Sequence, residues 1–250
     1  MIFECNDFEM YYEPHGDGEP LLWLHGGMGC GDDWRYIFKD PPPGYRLIAP
    51  DMRGHGASTN PSGVYKFRQT GADVLALLDH LELPRVKAIG LSGGGITLLH
   101  AAIAEPQRFA SIVAISAPPR FPEQCRAIQR QFSEAMLSPA ELERLRKRCK
   151  RGETQIRELF GYARSFADDK DDVNFTAADL ARISADTLIV FGDRDPLYPV
   201  ALATELYAAI PRAWLWIVPN GGHGPVFRDH APRFVETALS FLGGEWKHEA

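Results

Sequence analysis

The sequence has no uncharged apolar run long enough to cross a bilayer, so no membrane-spanning helix is expected. Its first residues, MIFECNDFEMYYE, offer neither a basic stretch nor an apolar core of signal-peptide type, and a cytoplasmic location is the expectation. Cysteine is scarce. Cys5, Cys30, Cys125 and Cys149 are scattered without a CxxC pair, which argues against a zinc site or a disulfide framework and for reduced thiols. Positive charge is not in excess either. A formal net charge of −6 gives no electrostatic reason to expect nucleic acid or an anionic membrane as partner. The densest basic run, 144–151, is interrupted by Leu145 and Cys149 and reads as the exposed face of a helix. There are no internal repeats and no low-complexity tract.

What is there is a chain of 250 residues, 45% hydrophobic and 24% charged, which suits one domain with a substantial core and leaves no room for long disorder. Apolar runs at 21–24, 46–49, 86–89, 111–115, 187–191 and 214–218 are nearly continuous rather than alternating. Strands buried on both faces of a parallel sheet read this way. Val74, Leu75, Leu77, Leu78 and Leu81 recur at helical spacing, 96–104 and 201–210 are helical in pattern, and Phe234, Val235, Ala238, Leu239 and Leu242 form a last stripe. The order predicts an α/β fold with a doubly wound sheet, binding its ligand outside the carboxyl ends of the strands. One stretch breaks the rhythm. Residues 118–183 hold no convincing strand, open on Pro118, Pro119 and Pro122, carry a capping sequence at Ser138-Pro139-Ala140-Glu141, and close through the acidic 168–172. The expected organisation is a core of 1–117 and 184–250 interrupted by a helical insertion at 118–183.

Gly90-Leu91-Ser92-Gly93-Gly94 is a G-x-S-x-G motif between the predicted strand 86–89 and a helix at 94–104. A serine on such a turn needs strained backbone angles and small neighbours, and the helix N-terminus points free N–H groups at the reaction centre. A serine nucleophile needs a base. His223 stands in 219–225, directly after the last strand, where a loop residue can reach across to Ser92. His230 precedes a helix and His248 sits in a charged tail, so neither is preferred; His100 lies on the helix after the nucleophile and reads as a packed residue. The histidine needs an orienting carboxylate. Asp193 and Asp195 both follow the strand 187–191; Asp195, further out and fixed by Pro196, is favoured, with Asp193 as fallback. Oxyanion donors are expected from the N–H of Gly93 and from that of Gly27 or Met28 in the loop after 21–24. The turn 51–58, despite its Asp51, Arg53 and His55, reads as a tight glycine turn whose charged groups pair locally.

Taken together, His25-Gly26-Gly27-Met28-Gly29, Asp51-Met52-Arg53-Gly54-His55-Gly56-Ala57-Ser58, Gly90-Leu91-Ser92-Gly93-Gly94, Gly192-Asp193-Arg194-Asp195 and Gly222-His223 resemble the α/β-hydrolase superfamily. They stand in the family's order and cover nearly the whole chain outside the insertion. The likeness is to serine esterases and enol-lactonase-like members. It implies an α/β-hydrolase fold with a mostly parallel sheet, Ser92, Asp195 and His223 as a triad, and 118–183 as a helical cap over the pocket. Candidate substrate contacts are Leu91, Phe121, Phe132, Met136, Phe160, Tyr162 and Phe166. No cofactor and no metal are implied. Epoxide hydrolases and haloalkane dehalogenases of the family use aspartate where this chain has Ser92, which argues against both. The reaction expected is hydrolysis of a small, apolar ester through an acyl-enzyme. Lactonase, carbon–carbon hydrolase, acyltransferase or perhydrolase chemistry on the same triad stands as the alternative, and a non-catalytic ligand receptor stands behind these.

Overall fold

In the computed structural model, which describes residues 1–247, the six predicted apolar runs become six neighbouring parallel strands. They are β3 (Glu19–Leu24), β4 (Tyr45–Pro50), β5 (Val86–Leu91), β6 (Phe109–Ile115), β7 (Asp186–Gly192) and β8 (Ala213–Val218). Two further strands, β1 (Ile2–Cys5) and β2 (Phe8–His15), extend the sheet to eight in the order β1-β2-β4-β3-β5-β6-β7-β8. The β1–β2 and β2–β4 pairings are antiparallel. This hairpin was not expected from the sequence. Its charged positions alternate with buried ones, as in β2, where Phe8, Met10 and Tyr12 are buried and Glu9 is exposed. Such one-sided strands at an antiparallel edge lack the continuous apolar signal of the interior.

Alternate residues of each parallel strand enter separate cores. Leu22, Leu24, Ile48, Ala88, Ile112, Ala114 and Ile189 pack on one face with α1 (Phe67–His80), α2 (Gly93–Ala104) and α7 (Val200–Ala209). Leu21, Trp23, Ile89, Val113 and Leu188 pack on the other with α8 (Ala231–Leu242) and Trp34. This is the doubly wound arrangement that the continuous runs predict.

Between β6 and β7 the chain forms α3 (Glu123–Gln131), α4 (Pro139–Arg148), α5 (Glu153–Ser165) and the short α6 (Ala177–Leu180). Ser138 caps α4 reciprocally with Glu141, as the sequence suggests. The basic run is largely the exposed side of α4, with Leu145 turned inward and Lys147 paired to Glu143. Polar bonds tie this segment to itself and to the core. The buried Arg126 donates to the carbonyls of Phe121, Phe166, Ala167 and Asp169. Asp172 accepts from the N–H groups of Phe67 and Arg68, capping α1 from the end of the insertion. Among the described residues no helix is long and apolar enough to cross a membrane. His248 lies outside the described residues.

Candidate active site

The strand β5 ends one residue before Ser92, which adopts φ 50° and ψ −113°. A non-glycine residue at positive φ is held there at a cost of order 1–3 kcal/mol. The Ser92 N–H donates to the Ile115 carbonyl of the neighbouring strand at 2.7 Å, which fixes the turn. The flanking glycines are needed for space. A Cβ on Gly90 would stand 2.6 Å from the Gly94 carbonyl oxygen, and a Cβ on Gly94 2.3 Å from that of Leu24. The turn is therefore wedged between its own helix and the end of β3.

His223 arrives on the loop after β8. Its Nε2 lies 3.0 Å from Ser92 Oγ, and its Nδ1 lies 2.8 Å from Asp195 Oδ2. The side chain of Asp195 is fully buried, and its other oxygen accepts from the N–H groups of Leu197 and Tyr198 at 2.8 and 3.2 Å. Both carboxylate oxygens are thus engaged and the orientation is fixed, which in turn makes Nδ1 of His223 the protonated nitrogen and Nε2 the acceptor facing the serine. Asp193, the fallback, has its side chain beside Arg194 instead and makes no bond to His223. The loop carrying His223 crosses the end of β7 closely: a Cβ on Gly192 would meet the Gly221 carbonyl at 2.1 Å.

Beside the serine, the N–H of Gly93 is the first of α2 and has no intrahelical partner. The Gly27 nitrogen is near it, 3.5 Å from where a Gly93 Cβ would be. Gly27 and Met28 both line the cavity, Met28 at φ 62°. Proximity to Gly93 favours the Gly27 N–H over that of Met28 as its companion. The loop is anchored by His25, whose Nδ1 bonds the Gly26 carbonyl at 2.7 Å while Nε2 accepts from the Met52 N–H at 3.0 Å. Burial, then the neighbouring His55, holds His25 well below its usual titration range, so it is neutral here.

These groups open into a cavity of about 240 Å³. Its walls are mainly apolar: Phe67 and Ile96 from the core, and Phe121, Phe132, Leu159 and Phe166 from the insertion. Burial pushes the Cys125 thiol up to about 12, and burial, with the Asp195 side chain nearby, raises the Tyr198 hydroxyl well above its usual value. Both therefore line the cavity in uncharged form.

Of the expected substrate contacts, Phe121, Phe132, Tyr162 and Phe166 line this cavity. Three others do not. Leu91 points to the opposite face, near Gly26 and Gly224 and within the second core, because successive residues of a strand alternate sides. Phe160 is buried behind Phe132, with ring centroids 5.3 Å apart. Met136 is about half exposed and absent from the lining. The sequence reading also passed over Gln129, Tyr198 and Tyr65. The spacing of Cys125, Ile128, Gln129 and Phe132 is a helical face, and that signal marks one side of α3 as a unit.

The turn 51–58 is structural in part. Asp51 accepts from the N–H groups of Gly31 and Ala57. Arg53, however, pairs with Asp73 and Asp7 rather than locally, and His55 reaches the cavity lining. His100 is a packed residue, 4.5 Å from the Phe175 ring and bonded to the Asp172 carbonyl. Among the described residues, Glu13, His15 and Asp32 form the one group spaced to hold a metal ion, and they lie outside the cavity lining.

Residues 19–138 match a sequence model of the family described as alpha/beta hydrolase fold. The chain has the α/β-hydrolase fold. The α/β-hydrolase relatives include 3-oxoadipate enol-lactonase 2 of Acinetobacter baylyi, 36% identical over 44% of this chain and 42% of that protein. This chain thus aligns with under half of that enzyme's length. A 2-hydroxymuconate semialdehyde hydrolase of a Pseudomonas strain is 28% identical over 91% of this chain and 88% of its own. Among solved structures, the meta-cleavage product hydrolase of Pseudomonas fluorescens IP01 superposes with a TM-score of 0.81 over 98% of both chains, at 21% identity. The last likeness is one of fold.

Proposed function

We propose that this α/β-hydrolase is a serine hydrolase that cleaves carboxylic esters of small, largely apolar substrates through an acyl-enzyme on Ser92. The observation that carries the reading is the continuous relay from Ser92 Oγ to His223 at 3.0 Å and from His223 to the buried Asp195 at 2.8 Å. As Ser92 Oγ attacks the ester carbonyl, its proton passes to His223 Nε2. Asp195 holds the ring and stabilises the imidazolium. The N–H groups of Gly27 and Gly93 receive the oxyanion, and losing one such donor costs about 2.7–4 kcal/mol of barrier. The C–O bond then breaks and the alcohol leaves with the proton from His223. Water, deprotonated by the same nitrogen, attacks the acyl-enzyme and releases the acid and free Ser92. Residues 118–183 act as the cap that closes the apolar walls around the substrate and excludes water.

Lactone hydrolysis is the second reading, supported by the likeness to the enol-lactonase. A lactone is an internal ester, so the same steps apply with the alcohol retained on the acid. Carbon–carbon bond hydrolysis is supported by the likeness to the semialdehyde hydrolase. The test is hydrolysis of p-nitrophenyl acetate, butyrate, octanoate and laurate by the wild type and Ser92→Ala, with a lactone panel in parallel. Ester turnover lost in Ser92→Ala is the expected result. Turnover that survives Ser92→Ala overturns the proposal, and a folded wild type active on lactones alone moves it to the second reading.

A further inference from the structure

The walls of the cavity are apolar except for a few groups, and one of these stands out. Gln129 projects from the face of α3 that also carries Cys125, Ile128 and Phe132, all lining the cavity. Its Oε1 is buried and has no hydrogen-bond partner among the described residues. A buried acceptor left unmade is costly, and every other residue on this face is one that packs without needing a partner. His55 also lines the cavity. Its Nδ1 is committed to the Arg53 carbonyl at 2.9 Å, which leaves Nε2 as an acceptor without a protein partner among the described residues.

From this pairing of a bare side-chain amide with apolar walls, we propose that the substrate carries a hydroxyl group on the part lodged under α3, bound by Gln129. A hydroxyl both donates and accepts, so it matches either end of the amide, and it fits a cavity of about 240 Å³ without introducing a charge. The preferred esters are thus hydroxy-substituted rather than plain alkyl ones. Hydrophobic walls alone do not discriminate strongly between a chain and its hydroxylated analogue, whereas a dedicated polar partner does. This inference rests on the reading of the cavity as the ester-binding site, but its test does not require turnover.

Binding of methyl hexanoate, methyl 3-hydroxyhexanoate and methyl 6-hydroxyhexanoate is measured by calorimetry on the Ser92→Ala protein, with and without Gln129→Leu. A preference of about tenfold or more for at least one hydroxy ester is expected with Gln129, as one good hydrogen bond supplies. Gln129→Leu should bring the ratio close to one. Gln129→Met serves if the leucine variant does not fold, melting being followed for each. A Kd ratio that is the same with and without Gln129, or that favours the plain ester throughout, overturns the inference. Loss of Ser92-dependent hydrolysis in the wild type would count against the proposed reaction, and the binding ratio would still decide the role of Gln129.

Discussion

Beneath the cavity the chain is positioned by backbone against backbone, whereas above it α3 and α5 contribute side chains. The lower half shows approaches that exclude a Cβ: Gly94 against the Leu24 carbonyl, and Gly192 against Gly221. Ser92, Asp195 and His223 hang from these points, so their geometry follows from the sheet. The upper half touches the ligand space through Phe132, Ile128, Gln129 and Leu159, spaced along helices, and is tied down by Arg126 and Asp172 at its two ends. A backbone-built half tolerates almost no change, and a side-chain-built half can be altered one residue at a time. The division places the proposed chemistry below and selectivity above.

The largest effect that can break this comparison is on the reaction itself. His223→Ala should lower kcat for p-nitrophenyl butyrate by about 10⁴-fold or more, with the melting temperature unchanged. A comparable kinetic loss from a single alanine substitution among the α3 residues would erase the distinction between the halves. Next comes the lower half's intolerance of volume. Gly94→Ala drives a Cβ to 2.3 Å from a backbone oxygen that cannot swing away, and should cost about 3 kcal/mol or more in urea unfolding.

A third expectation concerns acid. Burial lowers His55 from 6.5 to about 4 in the folded protein. A histidine depressed on folding binds its proton more readily when unfolded. Its contribution to stability is therefore complete above pH 6.5 and is lost as pH falls toward about 4. At 1.36 kcal/mol per pKa unit this amounts to about 3 kcal/mol. His55→Gln should flatten the fall in stability measured by urea unfolding between pH 7 and pH 4.5, and an unchanged slope would remove His55 as its source. The smallest effect has the opposite sign. Gly161, inside α5, has nothing within 4 Å of a prospective Cβ, so Gly161→Ala should stabilise by about 0.5–1 kcal/mol. Glycine to alanine thus damages the lower half and improves the upper.

The same contrast explains what was legible beforehand. The six parallel strands show because residues such as Leu21 and Leu22 are buried on opposite faces and leave no polar gap. The grouping of Ser92, Asp195 and His223 shows because Gly90, Gly94 and Gly192, which close backbone contacts require here, leave a motif in the sequence. The edge hairpin did not show, since Glu4 and Glu9 interrupt its apolar residues. The upper lining was read only in part. Phe132, just past the end of α3, and Phe160, on α5, are the same residue type, yet one faces the cavity and the other is buried behind it. Composition cannot separate them, because the choice depends on how α3 and α5 rotate against each other. Met136 looked equivalent and is half exposed. Gln129 was passed over because polar helix residues are commonly solvated, and only packing reveals its buried oxygen.

The most direct measurement is mass spectrometry of the protein quenched in acid during turnover of p-nitrophenyl butyrate, followed by peptide mapping. A single butyryl group on Ser92, absent from Ser92→Ala, is the expected result. Hydrolysis that proceeds with Ser92 unmodified, or with the acyl group on another residue, would contradict a covalent mechanism at this serine.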